Sequence, residues 1–151
     1  MVKKTKSVEY YEAIGRRKEA VARVRLYLIG KDKTASLKGK KISPGQVIVN
    51  GKNLEEIFPK DYEKKTCLRP LVLTENLERF GISILVRGGG KSAQPEAIAH
   101  GISRALIEAN AETYKTILRQ NGLVTRDDRT RERRKVGTGG KARRQKQSPK
   151  R

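Results

Sequence analysis

Residues 80–106, FGISILVRGGGKSAQPEAIAHGISRAL, change periodicity halfway along. Before the glycines, Ile82, Ile84 and Val86 alternate with Ser83 and Leu85, the period-2 spacing of a strand with one face turned inward. After them, Ile98, Ile102, Ala105, Leu106 and Ala109 recur at helical spacing, with Gly101 on the same stripe where close packing is needed. Pro95 suits the first position of that helix. The stretch therefore predicts a strand joined to a long helix by Gly88-Gly89-Gly90, followed by Lys91-Ser92. Backbone N–H groups without side chains can approach an anion there, and the helix N-terminus adds partial positive charge. The same glycines also serve a tight crossover from strand to helix, a reading that stays open beside the first. A nucleotide-binding phosphate loop is excluded by spacing. The pattern GxxxxGK[ST] ending at Gly90-Lys91-Ser92 needs glycine at position 85, which is Leu85.

Toward the N-terminus, residues 8–15 and 19–29 read as two more strands. In the second, Ala20, Ala22, Val24, Leu26 and Leu28 share one face and Arg23, Arg25 and Tyr27 the other, which implies a sheet with one core face and one cationic face. Gly15-Arg16-Arg17-Lys18 between them reads as a turn that gathers three positive charges, either as a solvated turn or for phosphate contact. Residues 30–46 form a polar excursion, expected as a surface loop or long hairpin. Residues 46–50 form a short strand ending in the turn pair Asn50-Gly51. Asn53 then reads as the cap of a short helix that Pro59 stops. The stretch 60–78 begins as a helical turn through Cys67 and continues past Pro70. Beyond the long helix, 111–121 reads as a second one, ending at Asn121-Gly122 with Leu123 following.

After Val124 the apolar pattern stops. The last nineteen residues, RRKVGTGGKARRQKQSPKR, hold nine basic residues, no acidic one, and one large aliphatic, Val136. Arg133, Arg134, Lys135, Lys141, Arg143, Arg144, Lys146, Lys150 and Arg151 thus form an arm that cannot build a core and is expected to stay extended until it meets a polyanion. Of the 36 basic residues in the chain, 27 remain against 16 acidic ones once the arm is removed, net +11 out of +20. Long-range attraction to polyanions follows from charge of this size. Asp127 and Asp128 read as partners for Arg126 and Arg129.

Several functions are disfavoured. Cys67 is the only cysteine, so no intramolecular disulfide or multi-cysteine metal site can form. His100 is the only histidine, and no nucleophile–base or paired-carboxylate set assembles around it. No catalytic residue, metal or cofactor is assigned, and no small-molecule substrate is expected. The N-terminus lacks the apolar region of a secretory signal, no apolar run approaches a membrane span, and a cytoplasmic protein without membrane partner is expected.

The blocks Gly-Arg-Arg-Lys (15–18), GGGKSAQPEAIAHGISRAL (88–106), GLVTRD (122–127) and KARR (141–144) resemble, in order, the family of small-ribosomal-subunit protein number nine. Gly88, Gly89, Gly90, Gln94, Ala97, Gly101, Arg104 and Leu106 fall where the pattern of that family places them, and the resemblance covers roughly residues 8–151. It implies an α+β fold, a two-layer α/β sandwich in which a mostly antiparallel four-stranded sheet carries helices on one face, with a left-handed βαβ crossover and an extended C-terminal arm. The expected organisation is a flexible N-terminus (1–7), a globular rRNA-binding domain (8–125) and the arm (126–151). The resemblance implies a non-enzymatic constituent of the small subunit whose partners are its rRNA, the peptidyl-site tRNA and neighbouring proteins of the head. Contact with rRNA is then expected from Arg16, Arg17, Lys18, Gly88, Gly89, Gly90, Lys91, Gln94, Arg104, Arg126, Arg129 and the arm residues through Lys146. Lys150 and Arg151 would reach the tRNA anticodon stem-loop. This chain has Ala93 where the family has glycine and no aromatic near its end. A free nucleic-acid binder using the same arm, and a kinase-like enzyme sharing the general fold, are the alternatives from other classes.

Overall fold

The alternating stretches form strands because each can bury one side, and the computed structural model shows where. It describes residues 3–5, 8–29, 35–37 and 40–144. The chain runs β1 (Lys3–Thr5), β2 (Val8–Arg17), β3 (Ala20–Leu28), β4 (Ala35–Leu37), β5 (Lys40–Ile42), β6 (Val47–Val49), β7 (Lys52–Asn53), α1 (Leu54–Ile57), α2 (Asp61–Leu73), β8 (Phe80–Arg87), α3 (Ala93–Ala109) and α4 (Ala111–Gln120). The class is α+β. The main sheet has the order β1-β2-β3-β8-β6-β7, and β4 pairs with β5 apart from it. All pairings are antiparallel except β6 with β8.

Six strands stand where four were expected. Asn50 and Gly51, at φ 49° and 82°, turn the chain back on itself and add β7. At the other edge, Lys3–Thr5 lie antiparallel to Val8–Tyr10, so the expected flexible N-terminus contains a short strand. The excursion 30–46 contributes the β4–β5 hairpin. Asn50 also extends the parallel pairing: its side-chain amide donates to the Val86 carbonyl and accepts from the Val86 N–H, both at 3.0 Å.

Two other local expectations change. The strand β2 runs on through Arg17, paired to Ala20, so Arg16 and Arg17 are strand residues and the turn is Lys18-Glu19. Asn53 makes no side-chain cap bond on α1; its Oδ1 instead accepts from Gln46 Nε2 at 3.3 Å. The better cap is Asn110, whose side chain accepts from Thr113 N–H at 3.2 Å to start α4. Gly122 (φ 69°) ends α4 as expected, with Leu123 N–H bonded to the Leu118 carbonyl at 3.0 Å.

One core fills the space between the sheet and α3. It takes Ala20, Ala22, Val24 and Leu26 from β3, Ile82, Ile84 and Val86 from β8, and Ala97, Ile98, Ile102, Ala105 and Leu106 from α3. Each fully buried Ile or Leu contributes about 1.5–3 kcal/mol of transfer free energy. Cys67 on α2 is fully buried in the same core, and burial pushes its thiol pKa up to about 12, so it acts as a small apolar side chain.

Small residues decide the depth of that contact. A Cβ placed on Gly15 of β2 would overlap the Ala97 carbonyl oxygen and the Gly101 backbone nitrogen; one placed on Gly101 would lie 2.7 Å from Val24 Cγ2 and 3.2 Å from Gly15 N. Backbone meets backbone here, as happens only where both partners lack a side chain. Gly15→Ala must push α3 off the sheet and is expected to cost about 3 kcal/mol or more, whereas Gly101→Ala presses mainly on a side chain and regains helix propensity, for a net cost of about 1–2 kcal/mol. Urea unfolding of the two variants tests the order; equal costs would show that the helix does not rest on β2 this closely.

Candidate nucleic-acid interface

Beyond Tyr10 the strand β2 has no neighbour on its outer edge among the described residues, since β1 pairs only with its first three residues. An edge strand presents unpaired N–H and C=O groups, and α3 covers these with side chains. Arg104 Nη1 donates to the Ile14 carbonyl at 2.6 Å, and the Arg16 N–H donates to His100 Nδ1 at 3.2 Å. Glu96 accepts from Arg17 Nε. These three helix residues are spaced four apart and form one stripe along the strand.

The same stripe seizes the start of the arm. His100 Nε2 lies 3.1 Å from the Val124 carbonyl. Because Nδ1 accepts from Arg16, Nε2 carries the proton and donates, which fixes the neutral tautomer. Burial lowers the His100 pKa, with Arg104 and Arg126 adding repulsion and the two backbone bonds opposing. Arg17, with its side chain 12% exposed, donates to the Arg129 carbonyl at 2.9 Å and the Asp127 carbonyl at 3.3 Å, and lies 3.1 Å from the Asp127 carboxylate. Arg129 closes on the same carboxylate at 2.8 and 3.0 Å. Bonds from the Arg129 guanidinium and N–H, helped by Arg17, hold the Asp127 pKa well below the usual carboxylate range. Beside this knot a cleft of about 400 Å³ brings Arg16, Arg69 and Arg129 around Ala99 and Leu123.

The expected site residues therefore divide by what their side chains touch. Arg17 and Arg104 are spent on the protein itself. Gln94 Nε2 donates to the Gly88 carbonyl at 3.1 Å and braces the glycine junction. Gly88 and Gly89 adopt φ 70° and 63° and lie against Glu19 and Ala20, where a Cβ would clash; Gly90 has open space around it. The glycines thus serve the crossover, and Gly90 with Lys91 remains presented to solvent. Lys18, Lys91, Arg126, Arg133, Arg134 and Arg144 have no ion-pair partner among the described residues, and Arg143 pairs with Glu132 at 2.8 Å. Lys146, Lys150 and Arg151 lie outside the described residues.

Between these cations the arm is not extended throughout. The Lys135 N–H reaches the Lys141 carbonyl at 3.3 Å, the Lys141 N–H reaches the Thr138 carbonyl at 3.2 Å, and the Thr138 hydroxyl donates to the Lys135 carbonyl at 2.6 Å. Gly137, Gly139 and Gly140, at φ 82°, 61° and 76°, allow this reversal. Val136 is fully exposed on it. A Gly-Thr-Gly-Gly run was legible as a turn, but the net charge of the arm favoured an extended reading. Arg69 was missed as part of the interface, and His100, the only histidine, was not among the expected contact residues.

Residues 15–151 match the family model described as ribosomal protein S9/S16. The small ribosomal subunit protein uS9 of Rickettsia prowazekii (strain Madrid E) is 40% identical over 134 residues, covering 89% of this chain and 74% of that protein.

Arg17→Gln is expected to cost on the order of 1–2 kcal/mol, since it removes charge-assisted bonds from a largely covered group. Amide exchange should speed up at residues 126–130 and stay slow in α3; unchanged exchange there would show that the arm root is held without Arg17. The neutral form of His100 is the one that makes both bonds, and its folded pKa lies below the ordinary value of 6.5. The unfolded chain therefore takes up the proton first as pH falls through about 6.5, and the contribution of His100 to stability is lost below that point. The stability gap between the wild type and His100→Ala, measured by urea unfolding, should narrow from pH 7.5 to pH 5.5; a constant gap would exclude this linkage.

Proposed function

The chain belongs to the ribosomal protein S9/S16 family, and from that premise we propose that its body binds small-subunit rRNA while its arm extends past that contact to the peptidyl-site tRNA. As a member of this family it is a structural, RNA-binding constituent of the small ribosomal subunit in the cytoplasm, with a place in translation and not in catalysis. The rRNA of the subunit head and neighbouring head proteins are the partners of the body. The connection from β6 through α1 and α2 to the parallel β8 is, on the same reading, the left-handed crossover of a two-layer sandwich.

One observation carries the division of labour. The arm root, residues 124–129, is tied to the body by Arg17 and His100, whereas Arg126, Arg133, Arg134 and Arg144 make no ion pair among the described residues. The body thus fixes where the arm leaves, and the arm keeps its cations for an external polyanion. Arginine forks suit phosphate oxygens, and ordering the arm on RNA is offset by these contacts and by counterion release. Lys18, Gly90, Lys91 and the Arg16–Arg69 cleft supply the body contacts. Arg17, Arg104, Gln94, Gly88 and Gly89 support them by holding the backbone in place. Lys150 and Arg151, last in the chain, meet the tRNA anticodon stem-loop.

Removing Pro149, Lys150 and Arg151 should leave co-sedimentation with small subunits intact and weaken tRNA binding in the peptidyl site. Loss of rRNA association on so short a deletion would refute the division between body and arm. If about six arm charges engage phosphates, log K for an rRNA fragment should fall against log salt with a slope about 4 to 5 units steeper than for a chain ending at residue 132. Equal slopes would place the phosphate contacts elsewhere.

A further inference from the structure

The sheet has a second face, turned away from α3, and the described residues cover only half of it. At one end Tyr10 and Tyr27 pack with ring centroids 5.5 Å apart, and Ile29 joins them. Ile42, at the end of the β4–β5 hairpin, is 1% exposed and lies where a Cβ on Gly81 would be. Glu12 and Arg25 follow as a closed pair at 2.7 Å, with the Arg25 guanidinium over the Tyr10 ring at 4.9 Å. Past that pair no described residue covers the face. The register sets Ile14, Arg23 and Leu85 in one row across β2, β3 and β8, and Arg16, Val21 and Arg87 in the next. Ile14, Val21 and Leu85 are 40–42% exposed, and the three arginines have no carboxylate partner among the described residues.

We propose that this uncovered half of the outer sheet face is a second RNA-docking surface, which lies against the shallow minor groove of a duplex segment. The inference rests on the RNA-binding reading above. Charge complementarity selects the partner: Arg23 and Arg87 stand on the patch without a carboxylate partner among the described residues, Arg16 borders both this face and the cleft beside His100, and the acid in the adjoining row, Glu12, is consumed by Arg25. A phosphate backbone offers acceptors along its whole length, whereas a protein neighbour would need a carboxylate set opposite each guanidinium as it is desolvated. A duplex minor groove is wide and shallow and is read by shape, riboses and phosphates. Arg23 on β3 and Arg87 on β8 stand on neighbouring strands in successive rows, about 5 Å apart across the strands, on either side of Val21 and Leu85. Their heads reach outward to phosphates while Ile14, Val21 and Leu85 present a low apolar ridge to the riboses between. The alternation explains why these aliphatics are exposed at all: arginine stems flank each one. With the arm root on the helix side and this patch on the other, the body is gripped by RNA from two directions.

The test uses the full-length chain and the double variant Arg23→Gln/Arg87→Gln, with binding to an rRNA fragment of the subunit head followed from ~0.1 to ~0.4 M salt. Loss of two phosphate contacts should flatten the slope of log K against log salt by about 1.5 and weaken binding roughly tenfold or more at the lower salt. The thermal melt should not move, because both side chains are exposed. Unchanged slope and affinity would overturn the proposal, and if that variant also failed to enter reconstituted subunits, the face would belong to a protein neighbour. Leu85→Ser should weaken binding without changing the slope; an altered slope would contradict the ribose contact. Failure of the wild-type chain to bind the fragment would instead overturn the RNA-binding reading itself.

Discussion

The contact on which the rest depends is that of Gly15 with Gly101, where strand β2 and helix α3 touch through bare backbone. The approach brings the Glu96–His100–Arg104 stripe alongside the strand edge. Four residues of helix advance about 6.0 Å and two residues of strand about 6.8 Å, so Arg104 and His100 meet the edge groups of Ile14 and Arg16 in step. Arg104 takes the Ile14 carbonyl, His100 the Arg16 N–H and Glu96 the Arg17 side chain. A helix moved outward by even part of a side-chain width would leave those edge groups to water. It would also leave Arg17 and His100 unable to hold residues 124–129. Two glycines thus determine where the arm departs, although neither touches it.

Much of this was legible. Period-2 alternation located β3 and β8 closely, the apolar stripe located α3, and Asn50-Gly51 located its hairpin, because each signal is local and chemical. The end of β2 was not legible, since Gly15-Arg16-Arg17-Lys18 is polar and glycine-led, and polarity there reads as a turn. Tertiary structure overrides it: Gly15 is needed for packing, and Arg17 is the inward side chain whose charge finds Glu96 and Asp127. The sheet size was under-read for a related reason. Strands of two or three residues carry no periodicity, and they exist only because a longer neighbour offers an edge. Of the interface, sequence could supply the cations but not their assignment. Net charge counts Arg17 and Lys91 alike, while geometry separates a guanidinium with its side chain 12% exposed and several internal acceptors from Lys18 or Lys91, which have no ion-pair partner among the described residues.

That separation gives the excess charge a structure. The carboxylates Glu96 and Asp127 gather on Arg17, Glu12 on Arg25 and Glu132 on Arg143. These carboxylates stand where Arg17, Arg25 and Arg143 are held, while Lys18, Lys91, Arg126, Arg133, Arg134 and Arg144 have no ion-pair partner among the described residues. Of these pairs the exposed one, Arg143–Glu132, contributes little to stability on its own. Their larger effect is to orient a few arginines so that the others stay available.

The closed loop at 135–141 bears on how far the arm reaches. Nineteen residues from Arg133, fully extended, would span about 60 Å. With the Lys135 N–H bonded to the Lys141 carbonyl, the six steps between them add almost no length, and the upper bound falls to about 40 Å. Three exposed hydrogen bonds, each worth about 1 kcal/mol net, hold the loop against the entropy of its glycines. One or two charge-assisted phosphate contacts, at about 1.5–3 kcal/mol each, match that sum. Gly137, Gly139 and Gly140 make the reversal possible through their positive φ. They let the arm take up about 20 Å of its contour length in a loop held by three exposed hydrogen bonds, so its span is shorter than its residue count alone would give.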